Sequence, residues 1–435
     1  MIFDKYISVL FVLLLPMLMH GQDTTFYQER PPAYDSLHLL YPFLKTGENK
    51  FNGAPPALNS FYRKLDRIKN GSPEQAVVVH IGDSHVQPGI MTQALREWLQ
   101  ATFGNAGRGM MFPYRVAKSN GPAGYVSHCD TPWIYCRNAA LKQPFPTGIS
   151  GFTLCSNAPS PSFTIEFTTQ EFNPADTARL TIFHENRDSC FSFYASNEIT
   201  GHAYRVADST LPDQTTMLLD DQPQKLRIRA VRTRESQKSA TFYGMSLEKP
   251  VSGVIVHTIG VNGAMFSNYL ESENFVKQLS DLKPDLLIFS LGTNEAFGVK
   301  SFSPETFHSL LDSLFLQIRR SGNQAEVVLA TPPGIYKSSR KKRRTTYKPN
   351  PLADTVSEVL RKYAADNNMA LWDWYTIMGG KDAMAKWKAK KLTDRKYIHF
   401  SGKGYGIQGE LLRQAMLESY EQHENTVTKQ TSPGK

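Results

Sequence analysis

Five short runs of the chain are built almost wholly from apolar residues, many of them β-branched. They are AVVVHI at Ala76–Ile81, GVIVHTIG at Gly253–Gly260, DLLIFSLG at Asp285–Gly292, AEVVLATPP at Ala325–Pro333 and MALWDWY at Met369–Tyr375. A strand that wets one face alternates apolar with polar residues, whereas a run that is apolar throughout must be covered on both faces, as in a parallel sheet between helices. The segments between the runs supply those helices: Met91, Leu95, Trp98 and Leu99 follow the first run at helical spacing, with similar patterns near Phe275, Leu310 and Val359. Strand and helix in alternation imply βαβ units and an α/β fold. Ligands of open parallel sheets bind beyond the carboxyl ends of the strands. GDSH (Gly82–His85) and GTNE (Gly292–Glu295) both fall there.

The stretch 120–250 follows a different rule. Ser162–Phe167, Ala178–Glu185, Ser189–Ala195, Lys225–Val231 and Ala240–Glu248 alternate apolar and polar residues and are separated by Pro, Asp, Asn and Gly. That pattern is antiparallel β with one wet face, and it predicts a β-sandwich inserted between the first strand of the parallel sheet and the rest. The expected organisation is therefore an α/β unit over 73–119 and 251–422, interrupted by an all-β insert over 120–250. Residues 22–72, rich in Pro, Tyr and polar side chains, read as an extended leader with one helix around Leu58–Ile68, and 423–435 as a frayed polar tail.

With 435 residues the chain can bury a large core without help from disulfides or metals. Residues 1–21 read as a secretory signal peptide: Lys5 precedes a nearly uninterrupted apolar stretch from Ile7 to Met19, and Gly21 follows. The stretch is short for a membrane span, and no other segment reaches that length, so the mature chain is expected to be periplasmic or extracellular with no stable span. The four cysteines, Cys129, Cys136, Cys155 and Cys190, lack the CxxC spacing of a structural zinc site and are expected as disulfides or buried thiols. Part of the formal charge of +9 is local: Lys337, Arg340, Lys341, Lys342, Arg343, Arg344 and Lys348 crowd one loop-like segment. Such a run is either a solvated loop or, in an exported protein, a contact for anionic glycan rather than nucleic acid.

GDSH carries the first chemical signal. A serine on a tight turn after a buried strand holds its hydroxyl out at the sheet edge, with its own N–H near the same reacting carbonyl. Gly-Asp-Ser is also a common turn tripeptide, so the signal gains its meaning from three further blocks in order: GVNGA (Gly260–Ala264), GTNE and IHFSGKGY (Ile398–Tyr405). Together these resemble the four blocks of the SGNH, or GDSL-like, hydrolases.

The resemblance implies a flavodoxin-like three-layer α/β hydrolase with Ser84 as nucleophile, His399 as general base, and an oxyanion hole formed by the N–H groups of Ser84 and Gly263 and the amide of Asn294. It calls for no metal and no organic cofactor. Relatives usually place an Asp three residues before the His, where this chain has Lys396. Asp394, five residues before His399, is the candidate acid, provided that the loop between them bulges. Asp373 is a weaker candidate, expected to be structural. His85 after Ser84, FGNAGRGMMFPY (Phe103–Tyr114), WDWYTIMGG (Trp372–Gly380) and the β insert are similar to bacterial peptidoglycan O-acetylesterases, whose insert resembles a carbohydrate-binding module. On that likeness the expected partner is an acetylated glycan, peptidoglycan first. His85 and Arg108 are candidate substrate contacts. The same fold also serves lipases, other acyl-ester hydrolases and acyltransferases, and a surface glycan-binding protein with a decayed site is a further alternative. Oligomeric state is not legible.

Overall fold

The computed structural model of the chain describes residues 31–431 apart from 170–176, 186, 208–210, 212, 273, 299–301, 342 and 343. The expected signal peptide over 1–21 lies outside the described residues. A two-residue strand β1 (Phe51–Asn52) is followed by the five strands expected from the apolar runs: β2 (Gln75–Gly82), β3 (Gly253–Gly260), β4 (Leu286–Ser290), β5 (Glu326–Ala330) and β6 (Ala370–Trp372). Their spatial order is β1-β6-β5-β4-β2-β3. All neighbours run parallel except β1, which closes the edge antiparallel to β6.

The chain steps outward from β2 to β3, then returns past β2 to build β4, β5 and β6. This is the flavodoxin-like order, and its reversal opens a crevice at the carboxyl end of β2. Val78, Val79 and Ile81 of β2 are fully buried, each worth about 1.5–3 kcal/mol relative to exposure. Helices α1 (Asn59–Lys69), α2 (Ile90–Phe103) and α5 (Gly402–Thr431) pack together as one layer, and α3 (Pro304–Arg320) with α4 (Leu352–Asp366) as the other. Among the described residues no helix is long and apolar enough to cross a membrane.

Residues 31–72 are not an extended leader. β1 is a strand of the central sheet, and α1 buries Phe61, Tyr62, Leu65 and Ile68 at helical spacing. Asn49 is buried as well, accepting from Trp372 Nε1 at 3.0 Å and donating to the Leu411 carbonyl at 2.9 Å. The apolar face of α1 outweighs the polar composition around it. The polar tail is likewise corrected, because α5 runs on to Thr431. His423 is buried 2.9 Å from Asp66 Oδ2, and Tyr420 donates to Asp66 Oδ1 at 2.7 Å, so side chains of α1 hold the last turns.

The alternating segments form a seven-stranded and a four-stranded antiparallel sheet. They meet face to face: the Phe242 ring of the larger sheet lies 5.0 Å from Phe163 and 6.0 Å from Phe193 of the smaller. Strand Gly107–Met111, which directly follows α2, joins the larger sheet by pairing with Met245–Glu248. The sandwich is thus stitched into the parallel-sheet unit rather than hung from a linker. All four cysteines are free thiols, Cys136 and Cys190 buried and Cys129 exposed.

The basic segment is not a loop. Tyr336–Lys341 and Arg344–Pro349 pair as an antiparallel hairpin whose register sets Lys337 against Lys348 and Lys341 against Arg344. Its two strands pair with each other, and the local charge density concealed that.

Candidate active site

Ser84 stands in the turn where β2 ends. Gly82 makes that turn possible: a Cβ there would lie 2.3 Å from Val86 Cγ2 and 2.7 Å from the Ser290 carbonyl oxygen. Asp83 then closes the turn. Its Oδ1 accepts the His85 N–H at 2.9 Å, and its carbonyl accepts those of Val86 and Gln87 at 3.2 and 3.0 Å. The Ser84 N–H donates to none of the described residues.

His399 arrives from the loop ahead of α5. Its Nε2 lies 2.9 Å from Ser84 Oγ. On the other side of the ring, Nδ1 lies 3.5 Å from Asp394 Oδ2. Asp394 and His399 face each other across a closed turn. The Asp394 N–H donates to the His399 carbonyl at 2.8 Å, and Thr393 bridges Phe400. Tyr397 takes up a left-handed conformation with φ of 59° to complete the bulge. Lys396, at the position where the resemblance leads one to expect Asp, gives its backbone N–H to Asp394 Oδ1 at 3.0 Å, and Ile398 does the same at 3.2 Å. Burial alone would raise the Asp394 carboxyl, but His399 and these two N–H groups outweigh it and hold the group below its ordinary value.

Two loops bring donors to the same place. Gly263 sits at φ of 87°, and its N–H has no acceptor among the described residues. The Gln87 side chain fixes this loop, accepting the Asn262 N–H at 2.6 Å while donating to the Asn120 carbonyl at 2.6 Å. Asn294 donates through Nδ2 to the Ala264 carbonyl at 2.9 Å, and the same nitrogen lies 3.4 Å from Asp83 Oδ2. Its amide thereby ties the asparagine block to both the glycine block and the serine turn.

His85 needs correction as a substrate contact. It is 3% exposed, with its ring 5.3 Å from His399 and 5.8 Å from both Phe400 and Tyr405. Its Nδ1 lies 3.1 Å from the Tyr405 hydroxyl, and its Nε2 has no hydrogen-bond partner among the described residues. Burial, reinforced by His399, pushes its pKa well below the ordinary value, so a neutral ring backs His399. Arg108 is corrected too: its guanidinium donates to the Ala123 carbonyl at 2.6 Å and covers the Tyr125 ring at 4.9 Å, fastening the Gly107–Met111 strand to the sandwich. Asp373 caps the short helix after β6 and pairs with Arg361 at 2.9 Å, a structural place.

Sequence reasoning missed a pair of buried acids beneath the donors. Burial pushes Asp83 up to about 6, against the opposing bonds from His85 and Thr293. Glu295 accepts the Phe266 N–H at 2.7 Å through Oε1, while its Oε2 has no partner among the described residues. Burial, with a contribution from Asp83, pushes Glu295 up to about 7. Both residues belong to the quoted blocks. Their burial was the signal, and it follows from the strand ends and helix starts on which the blocks sit.

A hydroxyl within hydrogen-bond reach of an imidazole, beside two unused backbone N–H groups and an anchored side-chain amide, is a constellation for acyl transfer. Residues 234–407 match the model of the GDSL-like Lipase/Acylhydrolase family. The family match and the site geometry support a carboxylic ester hydrolase that resembles the SGNH, GDSL-like class. Within that class the chain resembles a peptidoglycan O-acetylesterase of known structure, with a TM-score of 0.69 and 21% identity over 85% of this chain and 98% of that one. That overlap exceeds the share of this chain lying outside 120–250, so the likeness in fold extends into the sandwich. A lipase/acylhydrolase from Enterococcus faecalis shares 22% identity over 39% of this chain and 77% of its own, with a TM-score of 0.28. No curated protein matches the chain in sequence.

Proposed function

We propose that this chain is an exported serine esterase that removes O-acetyl groups from a bacterial cell-wall glycan, with peptidoglycan as the acetylated substrate. The observation that carries the reading is the 2.9 Å contact between Ser84 Oγ and His399 Nε2 beside the unused N–H groups of Ser84 and Gly263. Export is supported by the apolar stretch from Ile7 to Met19. The choice of glycan is supported by the likeness in fold to a peptidoglycan O-acetylesterase that includes the sandwich.

In this scheme Ser84 Oγ attacks the acetyl carbonyl carbon while His399 Nε2 takes its proton. The resulting oxyanion accepts hydrogen bonds from the Ser84 and Gly263 N–H groups and from the Asn294 Nδ2 hydrogen released from its long 3.4 Å contact with Asp83 Oδ2, each donor worth about 3–4 kcal/mol at the transition state. Collapse breaks the ester C–O bond, and the sugar oxygen leaves with the proton from His399. Water then attacks the acetyl-serine, passing a proton to the same nitrogen. Acetate departs and Ser84 recovers its hydroxyl. Asp394 steadies the imidazolium formed twice in the cycle.

Acetate release from O-acetylated peptidoglycan and from acetylated xylan, compared at equal acetyl content, tests the substrate. The proposal expects a clear preference for peptidoglycan; equal or reversed rates would remove that assignment and leave a general acetylesterase.

A further inference from the structure

The basic hairpin stands directly on the loop that carries His399. The Tyr336 N–H donates to the Tyr397 carbonyl at 3.1 Å, the Tyr336 ring stacks on Tyr397 at 5.1 Å and 11°, and Tyr347 packs on the same ring at 5.3 Å. Tyr397 lies between Asp394 and His399 in the chain, and Lys388 braces the loop by donating to the Asp394 carbonyl at 2.8 Å. Side chains alternate faces along a strand. One face of the hairpin, with Tyr336 and Tyr347, is therefore spent on Tyr397, and the other presents Lys337, Lys341, Arg344 and Lys348 together.

These four cations are a cost to the free fold. Lys337 opposes Lys348 and Lys341 opposes Arg344 directly across the ladder. Like charges so placed repel. None of the four forms an ion pair or side-chain hydrogen bond with a described residue, and Lys341, Arg344 and Lys348 are exposed. Elsewhere the chain does pair its cations, as in Lys64 with Asp285 or Arg413 with Glu410. A hairpin that holds four unneutralised charges on one face, with Ser339 and Thr346 between them, is complementary to a polyanion.

We propose that this hairpin is an anion-binding arm that holds carboxylate groups of the polymeric glycan substrate beside Ser84 and His399. The inference rests on the esterase reading for its choice of polymer. The arm acts on capture and not on bond-breaking, because its cations lie on the face turned away from Tyr397. Its contribution falls as salt screens it over a Debye length of roughly 8–10 Å.

The test uses the mature full chain and a variant with Lys337→Ser, Lys341→Ser, Arg344→Ser and Lys348→Ser combined. Far-UV circular dichroism serves as the fold control. Both proteins are co-sedimented with insoluble peptidoglycan and with the same material after amidation of its carboxyl groups. Expected are retention of the wild type that weakens with salt, a loss of tenfold or more on amidation, and a similar loss in the variant on untreated material. Equal retention of variant and wild type, or wild-type binding undiminished by amidation, overturns the proposal. Acetate release, followed in the same samples, reports separately on the esterase reading. Binding through the hairpin without acetate release would sink that reading and leave the arm standing.

Discussion

Asp394 Oδ2 lies 3.5 Å from His399 Nδ1, although five positions separate the two residues and Lys396 occupies the place where the SGNH resemblance leads one to expect the acid. The contact exists because the Asp394 N–H closes a turn onto the His399 carbonyl and Tyr397 accepts a left-handed backbone. The separation is longer than a typical hydrogen bond of about 2.7–3.2 Å. Catalytic contacts in ligand-free enzymes commonly tighten when substrate binds.

Asp394→Asn keeps an oxygen for the N–H groups of Lys396 and Ile398 but removes the charge that steadies the imidazolium. We expect kcat on p-nitrophenyl acetate to fall by about 10²–10⁴-fold with little change in KM. A rate within a few-fold of wild type would instead mean that Ser84 and His399 act as a dyad.

Asn294→Ala deletes the proposed oxyanion donor and also the tie between the Ala264 carbonyl and the serine turn. The expected loss is about 10²–10³-fold in kcat, with KM nearly unchanged. A change confined to KM would reassign Asn294 to ground-state binding.

Glu295 makes stability depend on pH. Its folded pKa of about 7 exceeds the ordinary 4.5, so the folded state binds the extra proton. The stabilisation is complete below about 4.5 and is lost as pH rises through about 7. Urea unfolding at pH 5 and pH 8 should show the wild type losing stability at the higher pH. Glu295→Gln should lose less, and an identical pH dependence in both proteins would dismiss this role for Glu295.

How much of this was legible follows from the kind of signal. The parallel sheet was readable because Val78, Val79 and Ile81 leave no polar face, and the sandwich because its strands alternate. Ser84, Gly263, Asn294 and His399 were readable as ordered blocks. The central-sheet place of Phe51 and Asn52 was not, since a two-residue edge strand has no period to detect. Nor was the buried state of His85, which depends on Phe400 and Tyr405 arriving from a distant part of the chain. The hairpin was hidden for a third reason: Ser, Thr, Lys and Arg along a two-stranded ribbon carry no apolar alternation, and the packing of Tyr336 and Tyr347 on Tyr397 reveals which face is inward.

The mechanism turns on acylation of Ser84 in the course of ester hydrolysis. Its most direct test is p-nitrophenyl acetate turnover by wild type and Ser84→Ala, with intact-mass detection of the trapped acetyl-enzyme after rapid acid quench. The wild type should show turnover and a transient mass gain of one acetyl group, and the variant neither. Undiminished hydrolysis by Ser84→Ala, or an acetyl group mapped to another residue during turnover, would contradict it.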